Sequence, residues 1–221
     1  MDRKSASTKI KSIFASYRKA NSHDARLLTA LSNGKLYELF VLSELVGQLK
    51  ARGFALRFRG TSIKFKGSPG AIKLGDPHFE VMAPGSNSVA FRIFVDIECD
   101  TLGFSIGKVS DYSRRHEIDL VVVLPTSSGY PAHSDVALGV ECKAVANFSK
   151  GIIKEALGVR RELSYLHRMQ PSLLTVAGGS PAVEVPARPP SEFWLAFIDP
   201  KGKHYRLSPH AFGIELLHLQ P

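Results

Sequence analysis

The sequence predicts an α/β domain, and three observations carry this prediction. Residues 120–124 and 136–140 are continuous apolar runs rich in β-branched side chains, as in strands that are covered on both faces. Residues 33–51 and 151–168 carry apolar side chains at three- and four-residue steps, as in amphipathic helices. Buried strands that alternate with such helices predict a sheet with helices packed against it.

The remaining elements are predicted from local patterns. Helix 33–51 is followed by Gly53, a common helix terminator. Short strand-like segments separated by glycine and proline predict an antiparallel extension: 54–58, 63–65, 79–82 and 89–95. Residues 178–190, rich in Gly, Pro and Ala, predict a flexible excursion before a strand at 193–198. Leucines at 216–219 predict a closing element of the core.

Length and composition predict one domain with a basic extension. The chain has 221 residues, 44% of them hydrophobic, which is enough for one substantial core. Residues 1–30 are predicted to form a basic N-terminal helical arm, and residues 31–221 a single domain. Cys99 and Cys142 fall in apolar strand patterns, which predicts reduced core residues rather than a disulfide or a zinc site. Because no apolar run suits a signal peptide or membrane span, the expected location is the cytoplasm.

The charge balance favours a polyanionic partner. Lysine and arginine number 29 against 20 aspartates and glutamates, and the formal net charge is +9. Nucleic acid is the expected partner of such a chain. The polar side of helix 151–168 is basic, and Lys150, Arg160 and Arg161 are predicted to contact phosphates. Neither a phosphate-binding glycine loop for ATP nor a nucleophile elbow occurs, so any motor activity must come from another protein.

The most informative motif is Glu141-Cys142-Lys143 at the end of the second buried run. In a strand, residues two apart share a face, so Glu141 and Lys143 are predicted to lie side by side. Asp119 opens the other buried run, and neighbouring strands would bring the three side chains together. Two carboxylates suit Mg²⁺ or Mn²⁺, and a nearby cation stabilises charge that develops on phosphorus. The pattern therefore predicts hydrolysis of phosphodiester bonds.

These residues and their order resemble the PD-(D/E)xK phosphodiesterase superfamily, which has the restriction-endonuclease-like fold. The resemblance covers the organisation of residues 33–200, with Glu38, Asp119, Glu141 and Lys143 at the motif positions and Ile118 where many members have proline. It implies a mixed central β-sheet flanked by helices. It also implies a Mg²⁺-dependent nuclease, with Mn²⁺ able to substitute. The metal ligands would be Asp119, Glu141 and the main-chain carbonyl of Cys142.

For several of these residues, a structural role is an alternative to the predicted catalytic one. A Glu-x-Lys strand motif on its own is often a solvated ion pair, and Glu38 is either catalytic or an exposed helix glutamate paired with a neighbouring lysine. The alternating Asp96, Glu98 and Asp100 are predicted to form the wet face of an antiparallel strand, from which one acid can approach the site. Other candidates nearby are Glu117, which shares a face with Asp119, and His116, which is expected to cap the strand rather than bind phosphate.

Lys143 has two conceivable roles. As a general base it would need its pKa lowered from about 10.4 to near 7, a differential stabilisation of roughly 4 to 5 kcal/mol. Stabilising charge and positioning water require no such shift, so these roles are favoured.

The predicted function is metal-dependent hydrolysis of DNA, in restriction or defence against foreign DNA. Three alternatives stay open: a repair or recombination endonuclease, a catalytically inactive nucleic-acid-binding module of the same fold, and a small-molecule phosphohydrolase. The last would need a closed, partly apolar pocket, and the charge of +9 argues against it. Double-stranded DNA is the expected substrate. A homodimer would supply one active site for each strand, and a separate motor or regulatory protein is a further candidate partner.

Overall fold

The computed structural model describes residues 1–19, 21, 23–107, 109 and 111–221. The helices in this part of the chain are α1 (Arg3–Ala15), α2 (His23–Ala30), α3 (Asn33–Ala51), α4 (Leu102–Gly107), α5 (Lys150–Leu163), α6 (Leu173–Val176) and α7 (Leu207–Ala211). The strands are β1 (Ala55–Arg59), β2 (His78–Met82), β3 (Val89–Asp100), β4 (Arg115–Val123), β5 (Val136–Lys143), β6 (Tyr165–Pro171), β7 (Glu184–Arg188), β8 (Glu192–Phe197) and β9 (Ile214–His218).

A seven-stranded mixed sheet forms the centre of the fold. Its strand order is β1-β2-β3-β4-β5-β8-β9, while β6 and β7 form a separate antiparallel pair. Strands β1 to β5 run antiparallel to their neighbours, whereas β5, β8 and β9 are parallel. The α/β class, the mixed central sheet flanked by helices and the antiparallel extension are thereby confirmed.

The sheet separates two apolar clusters. On one face, side chains of α1, α3 and the sheet form the larger cluster, here called the α3 side, which includes Leu45, Val95 and Leu120. On the other face, α5 packs over a second cluster, the α5 side, which includes Ile97 and Ile118. Strands β4 and β5 are buried on both faces, which explains why their sequences are continuous apolar runs rather than alternating ones.

Helix α3 has the bounds predicted from the sequence. The Ser32 hydroxyl accepts a hydrogen bond from the Lys35 N–H and caps the helix. At the other end Gly53 has a φ of 90°, a conformation that glycine adopts without steric cost. No helix in the described ranges is both long and apolar enough to cross a lipid bilayer.

The N-terminal segment is helical, as predicted, but α1 is part of the core rather than a free arm. Ile10 and Phe14 are buried in the α3-side cluster, and Lys9 pairs with Glu44 of α3 at 3.1 Å. Burial of these apolar side chains explains the position of α1. Ala20 and Ser22, within the predicted arm, lie outside the described residues.

Two predicted elements are corrected around β6 and β7. The helix predicted for residues 151–168 ends at Leu163, and Tyr165–Pro171 form β6. The predicted flexible excursion 178–190 contains β7, which pairs antiparallel with β6. Strands β6 and β7 lie about twenty residues apart in the chain. Their pairing supplies the backbone hydrogen bonds that a continued helix would have provided.

A buried ion pair joins the end of α3 to β8. Arg52 donates two hydrogen bonds to Glu192, at 3.0 and 2.9 Å, and the Ser172 hydroxyl donates a third at 2.7 Å. Both charged side chains are less than 10% exposed. Each charge is therefore neutralised by the other in a place that solvent hardly reaches.

Replacing Glu192 with alanine is expected to lower the free energy of unfolding by about 3–5 kcal/mol, because the Arg52 charge stays buried without its partner. Urea denaturation monitored by circular dichroism measures this. Glu215→Ala is the matched control, since its pair with Arg206 is solvent-exposed and should contribute less than about 1 kcal/mol. Equal effects of the two substitutions would contradict the prediction.

Candidate metal centre

The centre is built where β3 and β4 change the face to which their side chains point. In a regular strand, residues two apart share a face. In β3, however, Val95 lies on the α3 side and Ile97 on the α5 side. In β4, Leu120 lies on the α3 side and Ile118 on the α5 side. Asp96 and Asp119 lie between two pairs of the register, Val95 with Leu120 and Ile97 with Ile118.

Asp96 produces the change of face in β3 through its backbone. Its φ is 56°, in the left-handed region that non-glycine residues rarely adopt and that aspartate tolerates better than most. Its main-chain carbonyl accepts a hydrogen bond from the Gly70 N–H, and the side chain is fully buried. The buried carboxylate therefore meets α3 instead of solvent.

Three carboxylates converge at this point and are called the carboxylate cluster: Glu38, Asp96 and Asp119. One oxygen of each lies within 4.8 Å of the others. The ammonium group of Lys35 bonds to Glu38 at 2.9 Å and to Asp96 at 2.5 Å. The Asp96 Oδ2 atom is buried without a hydrogen-bond partner among the described residues. Negative charge and an unused ligand atom thus coincide in one place.

Asp119 connects this cluster to the end of β5. Its Oδ2 atom accepts a hydrogen bond from the Cys142 N–H at 2.7 Å. The Cys142 side chain packs on the α3 side, and Glu141 and Lys143 lie together on the other side of the strand, with Nζ of Lys143 3.4 Å from Glu141. The predicted proximity of Asp119, Glu141 and Lys143 is therefore present in the fold.

Burial disfavours charge on these carboxyls. It raises the pKa of Glu38 to about 8, and the charges of Asp119 and Asp96 act in the same direction while Lys35 opposes them. Burial, followed by the charge of Asp119, raises the pKa of Glu141 to about 8. The pKa of Asp119 is also raised by burial, against the hydrogen bond from Cys142. A divalent cation would relieve this repulsion.

Lys143 is held in its charged form. Burial acts to lower its pKa, but the hydrogen bond to Glu155 and the charge of Glu141 outweigh burial, so the pKa is raised. The Glu155 carboxylate lies 2.9 Å from Nζ, on the first half of α5. This environment suits an ammonium that stabilises negative charge, and it is the reverse of what a general base requires.

Asp119, Glu141 and Lys143 line an open groove of about 410 Å³ between the sheet and α5. Acids predominate along it: Glu117, Asp119, Glu141, Glu155 and Glu162. The basic groups are Lys143, Lys154 and the ring of His116. Without a cation, the groove would repel a phosphodiester.

The predicted phosphate-binding residues lie in different surroundings. Lys150 is exposed at the first residue of α5, and Arg161 is exposed with its guanidinium 5.1 Å from the Tyr165 ring. Arg160 is 4% exposed and donates hydrogen bonds to Ser191 and to the Phe212 carbonyl. This corrects the prediction for Arg160, because an enclosed guanidinium with its donors in use does not contact a phosphate.

The prediction that Asp96, Glu98 and Asp100 form the solvent-exposed face of a strand is also corrected. Asp96 is buried in the cluster, whereas Asp100 pairs with Arg114 and Arg115 at 3.2 and 3.0 Å. The prediction assumed strict alternation, which the left-handed backbone at Asp96 breaks. One signal was present in the sequence: Asp96 follows Ile93-Phe94-Val95 directly, so an acid stands inside an apolar run.

The described residues fit a hard divalent cation. The carboxylate cluster offers only oxygen ligands, which Mg²⁺ and Mn²⁺ prefer, and Asp96 Oδ2 has no other partner. Glu141 adds a carboxylate on the groove side of Asp119. Residues that could hold the ion are thus Glu38, Asp96, Asp119 and Glu141, and a contribution from the Cys142 carbonyl stays a prediction.

Searches of protein-family models, of curated proteins and of solved structures found no significant match to this chain.

Proposed function

We propose that this protein is a Mg²⁺-dependent nuclease that hydrolyses phosphodiester bonds of DNA, with Mn²⁺ able to substitute. One observation carries the proposal: Asp119 belongs both to the carboxylate cluster and to an open groove that contains Glu141 and Lys143. Oxygen ligands for a metal ion, a charged lysine and an open groove together suit metal-assisted hydrolysis of a phosphodiester.

Each residue has a distinct role in this proposal. Asp119 and Glu141, with Glu38 and Asp96 behind them, hold the ion. When bound, the ion supplies a Lewis acid for the phosphate and makes a water molecule more acidic. Lys143 donates hydrogen bonds to the phosphate oxygens as their charge grows, and Glu155 keeps its ammonium in position.

The charge distribution supports a polyanionic substrate that requires a metal. The chain carries a net charge of +9, although acids predominate in the groove itself. Attraction therefore comes from the surrounding surface, to which Lys150 and Arg161 contribute. A bound divalent cation would reduce the repulsion inside the groove and attract the phosphate directly, so DNA would bind productively only with metal.

Within this proposal, double-stranded DNA is the substrate and restriction or defence against foreign DNA in the cytoplasm is the favoured setting. A repair or recombination endonuclease uses the same chemistry. A second copy of the chain would cut the second strand, and a motor or regulatory protein would supply any translocation.

The test is cleavage of supercoiled and linear DNA by the purified chain with Mg²⁺, with Mn²⁺ or with EDTA. We expect cutting with either metal and none with EDTA. If the protein binds DNA in a salt-dependent manner but does not cut it with either metal, it is instead an inactive binding module of the same fold.

A further inference from the structure

The ammonium group of Lys35 lies against two of the three acids of the carboxylate cluster. Its ammonium bonds to Glu38 and Asp96 at 2.9 and 2.5 Å, and both carboxylates lie within 4.8 Å of Asp119. The two acids are almost wholly buried, whereas 29% of the lysine side chain is exposed. Among the two acids and the lysine, the ammonium side chain is therefore the one most exposed to solvent.

The local sequence indicates that Lys35 is there because of the acids. It is the third residue of α3, in the first turn, where the helix dipole disfavours positive charge. No acid occupies that turn. The two carboxylates, rather than the helix, therefore account for the placement of the ammonium.

The surroundings of Lys35 also allow its ammonium group to move away from the carboxylates. Lys35 and Glu38 border a cavity of about 220 Å³ whose other walls include Leu31 of the α2–α3 connection, Phe65 and Lys66. Its partial exposure and flexible four-carbon stem allow the ammonium to move toward solvent without a change in the backbone.

We propose that Lys35 is a built-in counter-ion that neutralises the carboxylate cluster in the metal-free protein and is displaced when Mg²⁺ binds. This inference rests on the proposed metal site. The lysine sets the metal affinity by competition, so the protein loads metal only when the ion is abundant enough to displace the ammonium.

Mg²⁺ affinity is the quantity to measure, by isothermal titration calorimetry on the full chain. Lys35→Met keeps the length of the side chain and removes its charge, and we expect Mg²⁺ to bind about tenfold or more tightly. Lys9→Met is the matched control, because it removes the same charge from the Lys9–Glu44 pair, and its affinity should match that of the wild type. Asp119→Asn should abolish binding.

Displacement itself has a second readout. Acetylation of Lys35 by an amine-reactive reagent, followed by mass spectrometry of its peptide, should be faster with Mg²⁺ than with EDTA, because the ammonium moves into solvent. Labelling of Lys9 should not change.

The outcomes separate this inference from the proposed function. Mg²⁺ binding to the wild type but no more tightly to Lys35→Met, or labelling of Lys35 that Mg²⁺ does not accelerate, would overturn the counter-ion role alone. Absence of Mg²⁺ and Mn²⁺ binding to the folded wild type would overturn both.

Discussion

Asparagine at position 119 is expected to lower the rate of metal-dependent DNA cleavage by on the order of 10³-fold. Asp119 is shared by the carboxylate cluster and the groove, so its charge serves both sets of ligands. Asparagine keeps an oxygen that can accept the hydrogen bond from Cys142, which preserves the end of β5. The loss would therefore reflect charge rather than misfolding. Initial rates of plasmid nicking by the wild type and by Asp119→Asn, at increasing Mg²⁺ concentrations, measure this loss of activity.

Two further substitutions distinguish binding of the ion from stabilisation of the phosphate. Glu141→Gln should weaken metal affinity, so that added Mg²⁺ recovers part of the rate. Lys143→Met should lower the rate by about 10²-fold without weakening metal binding, because its ammonium acts on the phosphate and its loss removes a positive charge beside Glu141. Glu117→Gln is the control, since this exposed acid lines the groove without belonging to the cluster. A cleavage rate of Asp119→Asn within about tenfold of the wild-type rate would contradict the assignment of Asp119 as a metal ligand.

The sequence was sufficient for the parts of the fold that depend on local patterns. Helix α3 follows from apolar periodicity, and the buried strands follow from continuous apolar runs. The pairing of Glu141 with Lys143 follows from the two-residue repeat of a strand. These features depend on neighbours within a few residues, so no knowledge of the tertiary structure is needed to place them.

Asp96 could not be placed in this way. Strict alternation assigns it to the same face as Glu98 and Asp100, and the prediction fails because one residue adopts a φ of 56°. The hydrogen bond from Gly70 that accompanies this conformation comes from a loop 26 positions earlier in the chain. A contact across that separation leaves no periodic trace in the sequence.

Arg160 illustrates the same limit on the other side of the sheet. It lies on α5, whose polar face is basic, and periodicity gives no indication that distant residues cover it. Ser191 and Phe212, 31 and 52 positions away, supply its partners. Burial lowers its pKa to about 10, yet the guanidinium stays charged at neutral pH and acts as a structural cation.

Stability of the metal-free protein is expected to fall as pH rises from about 4.5 to about 8, and Mg²⁺ should reverse the fall. The pKa of Glu38 and of Glu141 is about 8 in the folded chain, against 4.5 for an ordinary glutamate. Between these values the folded state binds protons that the unfolded state has released, so raising the pH favours unfolding. Each carboxyl contributes at most about 5 kcal/mol to this difference.

Urea denaturation in EDTA and in Mg²⁺, at intervals between about pH 5 and pH 9, measures the effect. Glu141→Gln should flatten the profile in EDTA, because its amide does not titrate, and should make the metal-free protein more stable at high pH. Glu184→Gln, which alters an exposed glutamate, should reproduce the wild-type profile.

Mg²⁺ should stabilise the wild type more at high pH than at low pH, because below pH 8 the ion competes with protons for the same oxygens. A protein whose acids serve only structure would behave differently, since its stability would not increase with Mg²⁺. If stability in EDTA is constant across this range, the pKa of Glu38 and of Glu141 is not raised in the folded chain, and the argument that burial prepares these carboxyls for a metal ion fails.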